Sequence, residues 1–310
     1  MPPALFVVGT SRSGTSWVFD LCASHPDMSM GYESKLPIEG IEIHRRWAER
    51  LGDRTADHAA MAELLSNVRD GIDDPSNTEL FGLLDRADVV ERAVEANRAR
   101  PGWASICEAI FRSLEGTTHW GNKMLRIELV PTLLEHWPDS RFLVLTRDPR
   151  GVVASQSKKF DHSLEYSAVY WNTHARWILD HVDDDERYRV VDLVDMARDP
   201  APTLEWAFAS VGLSTEPVAG LIERFPGDPE RLDAKRRSLP EDRQRRIEEY
   251  CYDAMVALGY RPELAAGPRR IGRLRRAITL AREHGSELLR DPRSIRRKQV
   301  GRRIRSTLGR

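Results

Sequence analysis

Two short segments carry residues whose types and spacing suit anion chemistry. The first is Gly9-Thr10-Ser11-Arg12-Ser13-Gly14-Thr15-Ser16. It has the glycine spacing of a Walker A loop, with Thr15 at the lysine position. Two glycines at a strand-to-helix turn let backbone N–H groups converge on an anion at the helix N-terminus. Ser13, Thr15 and Ser16 add hydroxyl donors, and Arg12 adds a fixed charge. The lysine that would reach the β- and γ-phosphates of ATP is absent, which disfavours a standard NTPase. The second segment is Arg147-Asp148-Pro149-Arg150, followed eight residues after Arg147 by Ser155. Arg147, Arg150 and Ser155 form a candidate clamp for a second anion, just past a strand end where open α/β sheets bind ligands.

The surrounding pattern supplies the elements that must hold these groups. Leu5 to Val8 reads as a buried strand that runs into Gly9, and Ser16 to Ala23 as a helix stopped by His25-Pro26-Asp27. Charged amphipathic helices fill roughly 37–100, broken at Gly71 to Asn77 and at Pro101-Gly102, and another helix runs from Trp103 to Leu114. His119 to Lys123 is a short strand, Ile127 to Trp137 a helix, and Arg141 to Thr146 a continuous apolar strand. Asp148 suits an N-cap and Pro149 a first helical position. A strand over Arg189 to Val194, a helix over Pro202 to Val211 and a late helix over Ile247 to Leu258 complete the body. Strands alternating with helices predict an α/β fold with a P-loop-like, mainly parallel sheet flanked by helices. The expected organisation is an α/β domain over 1–266, with a helical insertion at about 37–118, and a basic amphipathic helical tail over 267–310.

The two segments together resemble the nucleotide-binding elements of sulfotransferases that use 3′-phosphoadenosine-5′-phosphosulfate (PAPS), in the bacterial branch related to tyrosylprotein and glycan sulfotransferases. The resemblance is good over residues 5 to 36 and 119 to 160, and weak over 235 to 262. It implies that Arg12, Ser13, Gly14, Thr15 and Ser16 hold the 5′-phosphosulfate and that Arg147 and Ser155 hold the 3′-phosphate. It implies Glu33, in Gly31-Tyr32-Glu33-Ser34-Lys35, as the base for the acceptor hydroxyl. Lys123, in Gly121-Asn122-Lys123, is implied as the cation on the departing phosphate, a task shared with Arg12. The small-molecule branch carries a histidine base two residues past such a lysine. Leu125 stands there instead, which strengthens Glu33. His119 is assigned packing or hydrogen bonding. In relatives a basic or serine-bearing loop closes over the nucleotide near Lys235, Arg236 and Ser238. Tyr166, Tyr170, Trp171 and Trp177 read first as core, with lining of an acceptor pocket for sugar or aryl groups as the alternative.

Composition bounds the rest. Hydrophobic residues make up 41% and charged residues 31% of the 310, and no apolar run approaches the ~18 residues of a membrane span. Three scattered cysteines suit a reducing compartment, and the start lacks the marks of a signal peptide, so a cytoplasmic location is expected. The nine histidines and three cysteines show no metal-ligand spacing, and the donor chemistry implied by the resemblance requires no metal, so none is expected. From Arg269 to Arg310 there are fifteen Lys and Arg against three Asp and Glu, which leaves the preceding residues net acidic. The tail's apolar stripe at Ile271, Leu274, Ile278 and Ala281 suits peripheral contact with an anionic membrane surface, and nucleic acid is not the expected partner. The predicted acceptor is a hydroxyl on a carbohydrate, a glycolipid or a small molecule. A divergent P-loop kinase and a non-catalytic anion-binding adaptor acting through the tail are the rival readings.

Overall fold

A computed structural model describes residues 2–182, 185–269 and 272. The stripe at 271–281 and nearly all of the basic tail lie outside the described residues. The chain divides into two compact units, one of residues 1–9, 14–145 and 185–227, the other of residues 10–13, 146–184 and 228–310.

The first unit holds a five-stranded sheet. Its strands are β1 (Leu5–Gly9), β2 (Met28–Tyr32), β3 (His119–Met124), β4 (Arg141–Thr146, its last residue in the second unit) and β5 (Tyr188–Asp192), in the order β2-β3-β1-β4-β5. The pairs β1–β3, β1–β4 and β2–β3 are parallel. Helix α1 (Thr15–Ala23) follows β1. Between β2 and β3 lie α2 (Leu36–Leu51), α3 (His58–Gly71), α4 (Thr78–Gly82), α5 (Ala87–Ala99) and α6 (Trp103–Glu115), and α7 (Val130–His136) precedes β4. The expected α/β class with a parallel sheet is the observed one.

Central strands read as continuous apolar runs because both faces are covered within this unit. Leu5, Val7, Leu143 and Leu145 pack with Val18 and Leu21 of α1. They also pack with residues of α10 (Leu193–Arg198), α11 (Ala201–Ala209) and α12 (Val218–Arg224), among them Met196, Phe208 and Leu221. On the opposite face Phe6 stacks on Phe142 at 5.3 Å and meets Trp120 edge-on at 5.6 Å. Phe111 and Trp137 cover Trp120 at 4.8 and 5.4 Å. Odd and even positions along β1 thus serve different cores, as the two-residue strand period requires.

β2 escapes sequence reading because Met-Ser-Met-Gly-Tyr carries little β-branched or aromatic signal. Its small residues have a packing reason. A Cβ on Gly31 would stand 2.7 Å from both Asn122 Oδ1 and Phe111 Cε1. At Tyr32, on this edge strand, the backbone is closed by a side chain: the Tyr32 N–H donates to Asn77 Oδ1 at 3.1 Å, and Asn77 Nδ2 donates to the Tyr32 carbonyl at 2.9 Å. That amide stands in for a neighbouring strand.

Gly14 is the N-cap of α1, with φ 89°, and a Cβ there would lie 2.1 Å from Leu193 Cδ1. Both the left-handed backbone and the contact require glycine. Gly14→Ala is expected to destabilise the first unit by about 1–3 kcal/mol, read as faster hydrogen exchange at the amides of β1.

The second unit is helical. Its helices are α8 (Pro149–Phe160), α9 (Leu164–His181), α13 (Pro229–Arg237) and α14 (Glu241–Ala257). Val152 and Val153 of α8, Trp171 and Ala175 of α9, and Ile247, Cys251 and Met255 of α14 form its core. Asp148 caps α8 as its sequence predicts, accepting the Arg150 N–H at 2.8 Å, with Pro149 at the first position. Tyr166 and Trp171 are buried on α9, and the Trp171 indole donates to the Arg147 carbonyl at 2.8 Å. Segment 235–238, expected as a loop, continues helix α13 as far as Arg237. Among the described residues, no helix is long and apolar enough to cross a membrane.

Candidate active site

In the first unit, register places the first group of candidate residues. Tyr32 of β2 sits opposite Lys123 of β3, so both side chains leave the same face of the sheet. Lys123 is 1% exposed. Its Nζ donates to Glu33 Oε1 and stands over the Tyr32 ring, 4.1 Å from the centroid. The Tyr32 hydroxyl shares a hydrogen bond of 2.8 Å with Ser16 Oγ, in the first turn of α1. Asp20 lies one turn further along that helix. Partial burial pushes its carboxyl above the usual carboxylate range, while the Lys123 charge acts the other way.

Glu33 occupies a left-handed backbone with φ 56°. A non-glycine residue in that region is costly and is kept only where its surroundings determine it. Here the surroundings are explicit. The Glu33 N–H donates to the Lys123 carbonyl at 2.8 Å. Asn122 Oδ1 accepts the Ser34 N–H at 3.1 Å, and its Nδ2 donates to the Ser34 carbonyl at 3.0 Å. Asp74 Oδ2 accepts from Ser34 Oγ at 3.2 Å and from the Lys35 N–H at 2.9 Å. Asn77 Nδ2 donates to Asp74 Oδ1 at 2.9 Å. Three buried polar side chains therefore hold the turn that presents the Glu33 carboxylate, which remains partly exposed.

Helix α1 has no side-chain cap at its N-terminus. Its first-turn amides, at Thr15, Ser16 and Trp17, have no acceptor within the helix. Thr15 is buried and Ser16 is exposed.

In the second unit, Thr10 to Ser13 form a tight turn. The Ser13 N–H and hydroxyl both donate to the Thr10 carbonyl, at 3.1 and 2.7 Å. Arg12 is left-handed, with φ 75°. Its Nε donates to Ser155 Oγ at 2.9 Å. The arginine expected at one anion site and the serine expected at the other therefore meet. They line a cavity of about 660 Å³ together with Lys158, Lys159, Arg231 and Ser238. Arg147 is 3% exposed and braces the same turn, donating to the Arg12 carbonyl at 3.1 Å and the Leu232 carbonyl at 3.0 Å. A Cβ on Gly151 would crowd Arg147 Nε at 2.9 Å, so glycine one helical turn on makes room for that guanidinium. Gln156 Nε2 donates to the Ser11 carbonyl at 3.0 Å.

Arg150, grouped with the clamp from its sequence position, points elsewhere. It is fully buried and bonded to Asp148, to Glu248 and to the Arg261 carbonyl. Arg236 pairs with Glu263 at 3.0 Å and Asp233 at 3.3 Å. Lys235 falls on α13, at a position whose side chain lies outside the described residues. His119 Nδ1 shares a hydrogen bond of 2.9 Å with Thr118 Oγ1, and burial pushes its imidazole below the usual histidine range. Sequence reading missed Tyr32, Asp74, Asn77, Asn122, Lys158, Lys159 and Arg231. Lys158 and Lys159 alone had a signal, lying three and four residues past Ser155 on one helix.

Residues 3–217 match the model of the sulfotransferase family. The chain belongs to that family. Sulfotransferases transfer a sulfuryl group, so the protein is a transferase. The match covers every strand of the sheet, the turn at 10–13, Glu33, Lys123, Arg147 and Ser155, and ends before α13 and α14. The structure is similar to the sulfotransferase domain from the Synechococcus PCC 7002 olefin synthase. There the TM-score is 0.53 at 18% identity, over 84% of this chain and 95% of that one. It is also similar to the sulfotransferase domain from the curacin biosynthetic pathway, with TM-score 0.53 at 14% identity, over 85% of this chain and 99% of that one. At such identities the likeness is one of fold. No curated protein matches the chain.

Proposed function

We propose that this sulfotransferase takes its sulfuryl group from PAPS and passes it to an acceptor hydroxyl, releasing adenosine 3′,5′-bisphosphate. The observation that carries the reading is the cavity in the second unit, where Arg12, Ser155, Lys158, Lys159 and Arg231 gather cations and a hydroxyl donor. A volume of about 660 Å³ lies within the general range of small-molecule and cofactor sites. The lining suits the 3′-phosphate that distinguishes PAPS from ATP.

Each residue then has a task. Arg12 and Ser155 hold the 3′-phosphate, with Lys158, Lys159 and Arg231 adding positive charge. Arg147 keeps the Arg12 turn in place through its two carbonyl contacts. Ser13, Gly14, Thr15 and Ser16 contribute amide and hydroxyl donors to the 5′ end. Lys235 is assigned to the nucleotide on the resemblance alone. PAPS supplies a sulfur–oxygen bond that breaks toward its 5′-phosphate as the acceptor oxygen–sulfur bond forms. Glu33 takes the acceptor's hydroxyl proton onto its carboxylate. Lys123 neutralises the charge that collects on the departing phosphate oxygen. The acceptor class is a carbohydrate, glycolipid or small molecule, and peripheral contact with an anionic membrane through the tail is part of the same proposal.

Calorimetric titration tests the donor. Adenosine 3′,5′-bisphosphate is expected to bind the wild type well ahead of AMP. Ser155→Ala, which strips one hydroxyl from a charged phosphate, is expected to cost about tenfold or more in the bisphosphate and little in AMP. Equal affinity for the two nucleotides in the wild type would remove PAPS from the account.

A further inference from the structure

We propose that Tyr32 is a positioning residue for Lys123, with its ring face holding the ammonium and its hydroxyl tying that ring to Ser16. This rests on the reading of Lys123 as the cation that assists sulfuryl transfer. A buried ammonium is costly unless partners offset the lost hydration. Among the described residues, Lys123 touches two such partners, the Glu33 carboxylate and the Tyr32 ring, and the Asp20 carboxyl acts on its charge from further off. They act differently on its donors. Glu33 takes one of the three N–H bonds that an ammonium offers. The ring attracts the charge through its π face without needing a lone-pair acceptor. Tyr32 therefore keeps the cation in place while leaving donors for an anionic oxygen.

The ring itself is fixed from several sides. Strand register sets it beside Lys123. Asn77 holds its backbone N–H and carbonyl. Phe19 and Tyr32 form a T-shaped pair with centroids 5.0 Å apart and the planes at 87°. Ser16 Oγ, in the helix turn whose amides have no intrahelical acceptor, holds the hydroxyl at 2.8 Å. A leucine would fill much of the volume and offer neither the face nor the hydroxyl. A phenylalanine would keep the face and lose the tie.

Two measurements on the full chain test this. The first needs neither donor nor acceptor. Reductive methylation, followed by peptide mass mapping, reads how freely each lysine amine reacts. Tyr32→Leu is expected to raise the rate at Lys123 about tenfold, and Tyr32→Phe to stay within about twofold of wild type, with Lys158 and Lys159 unchanged in both. An unchanged rate at Lys123 in Tyr32→Leu would overturn the proposal. So would an equal rise at all three lysines, which marks general loosening. The second measurement is a double-mutant cycle on the sulfuryl-transfer rate, which reads charge that develops on the departing oxygen. Tyr32→Leu is expected to slow transfer severalfold in the wild-type background and to have no effect beside Lys123→Met, with Tyr32→Phe restoring most of the loss. Fully additive losses would overturn action through Lys123. If Lys123→Met leaves the transfer rate intact, the reading of Lys123 fails and the role of Tyr32 in transfer falls with it, whereas the methylation rates still decide whether the ring holds the amine.

Discussion

Replacing Glu33 by glutamine is expected to lower the sulfuryl-transfer rate by about 100- to 10,000-fold, the range of a lost general base. Affinity for adenosine 3′,5′-bisphosphate is expected to stay within about threefold. The asymmetry follows from the geometry. Glutamine has the size of glutamate, and its amide oxygen can accept the Lys123 N–H that Glu33 Oε1 now accepts. The turn is held by Asn122, Asp74 and the Glu33 backbone, none of which needs the carboxylate. What disappears is the ability to take a proton. Initial rates with radiolabelled donor and a panel of hydroxyl compounds, set beside calorimetry on the same preparations, separate the two quantities. A variant that keeps more than a tenth of the wild-type rate would dismiss Glu33 as the base. A variant that loses bisphosphate binding in the same proportion as rate would make the carboxylate a structural group.

How far the sequence foretold this site depends on which interactions are local. The strand at Arg141 to Thr146 and the cap at Asp148-Pro149 are written within a few residues, and both stand where the pattern puts them. The glycine-spaced turn is local too, as are the left-handed residues it needs at Arg12 and Gly14. β2 was hidden because its residues answer to partners far along the chain: Gly31 to Phe111 and Asn122, and Tyr32 to Asn77. The pairing of Glu33 with Lys123 spans 90 residues and is set by strand register, which no single-segment period reveals. Arg147 and Arg150 show the same limit from the other side. Both are arginines at a strand end, yet one braces the turn at 10–13 and the other is enclosed by acidic groups. Side-chain type marked them equally, and only the packing of α14 and the segment after it separates them.

That enclosed arginine leads to the largest stability effect. Glu248→Ala is expected to destabilise the second unit by about 3–5 kcal/mol, the usual cost of removing one partner of a buried ion pair. Glu248 is 0% exposed and its two oxygens are fully engaged. Oε1 accepts Arg150 Nη1 at 2.6 Å. Oε2 accepts the Leu264 and Ala265 N–H groups at 2.6 and 2.8 Å, anchoring the chain that follows α14. Burial alone would lower the Arg150 pKa, but the hydrogen bond and charge of Asp148, with Glu263 and Glu248, hold it raised. Alanine at 248 removes one of those charges and leaves two amides without their acceptor. Asp148 still pairs with Arg150 at 2.7 Å, which places the loss within that range rather than above it. Glu248→Gln keeps one acceptor oxygen and is expected to cost less than half as much. Because the chain has two units, a single unfolding midpoint is a poor gauge. Hydrogen exchange at Leu264 and Ala265 reads the effect where it arises. These amides are expected to exchange in Glu248→Ala about 100-fold faster or more, while amides of β1 and β4 keep their protection. Unaltered exchange at 264 and 265 would mean that the strap is held by Tyr260 on Thr146 and by Arg150 on the Arg261 carbonyl, and that the buried carboxylate contributes little.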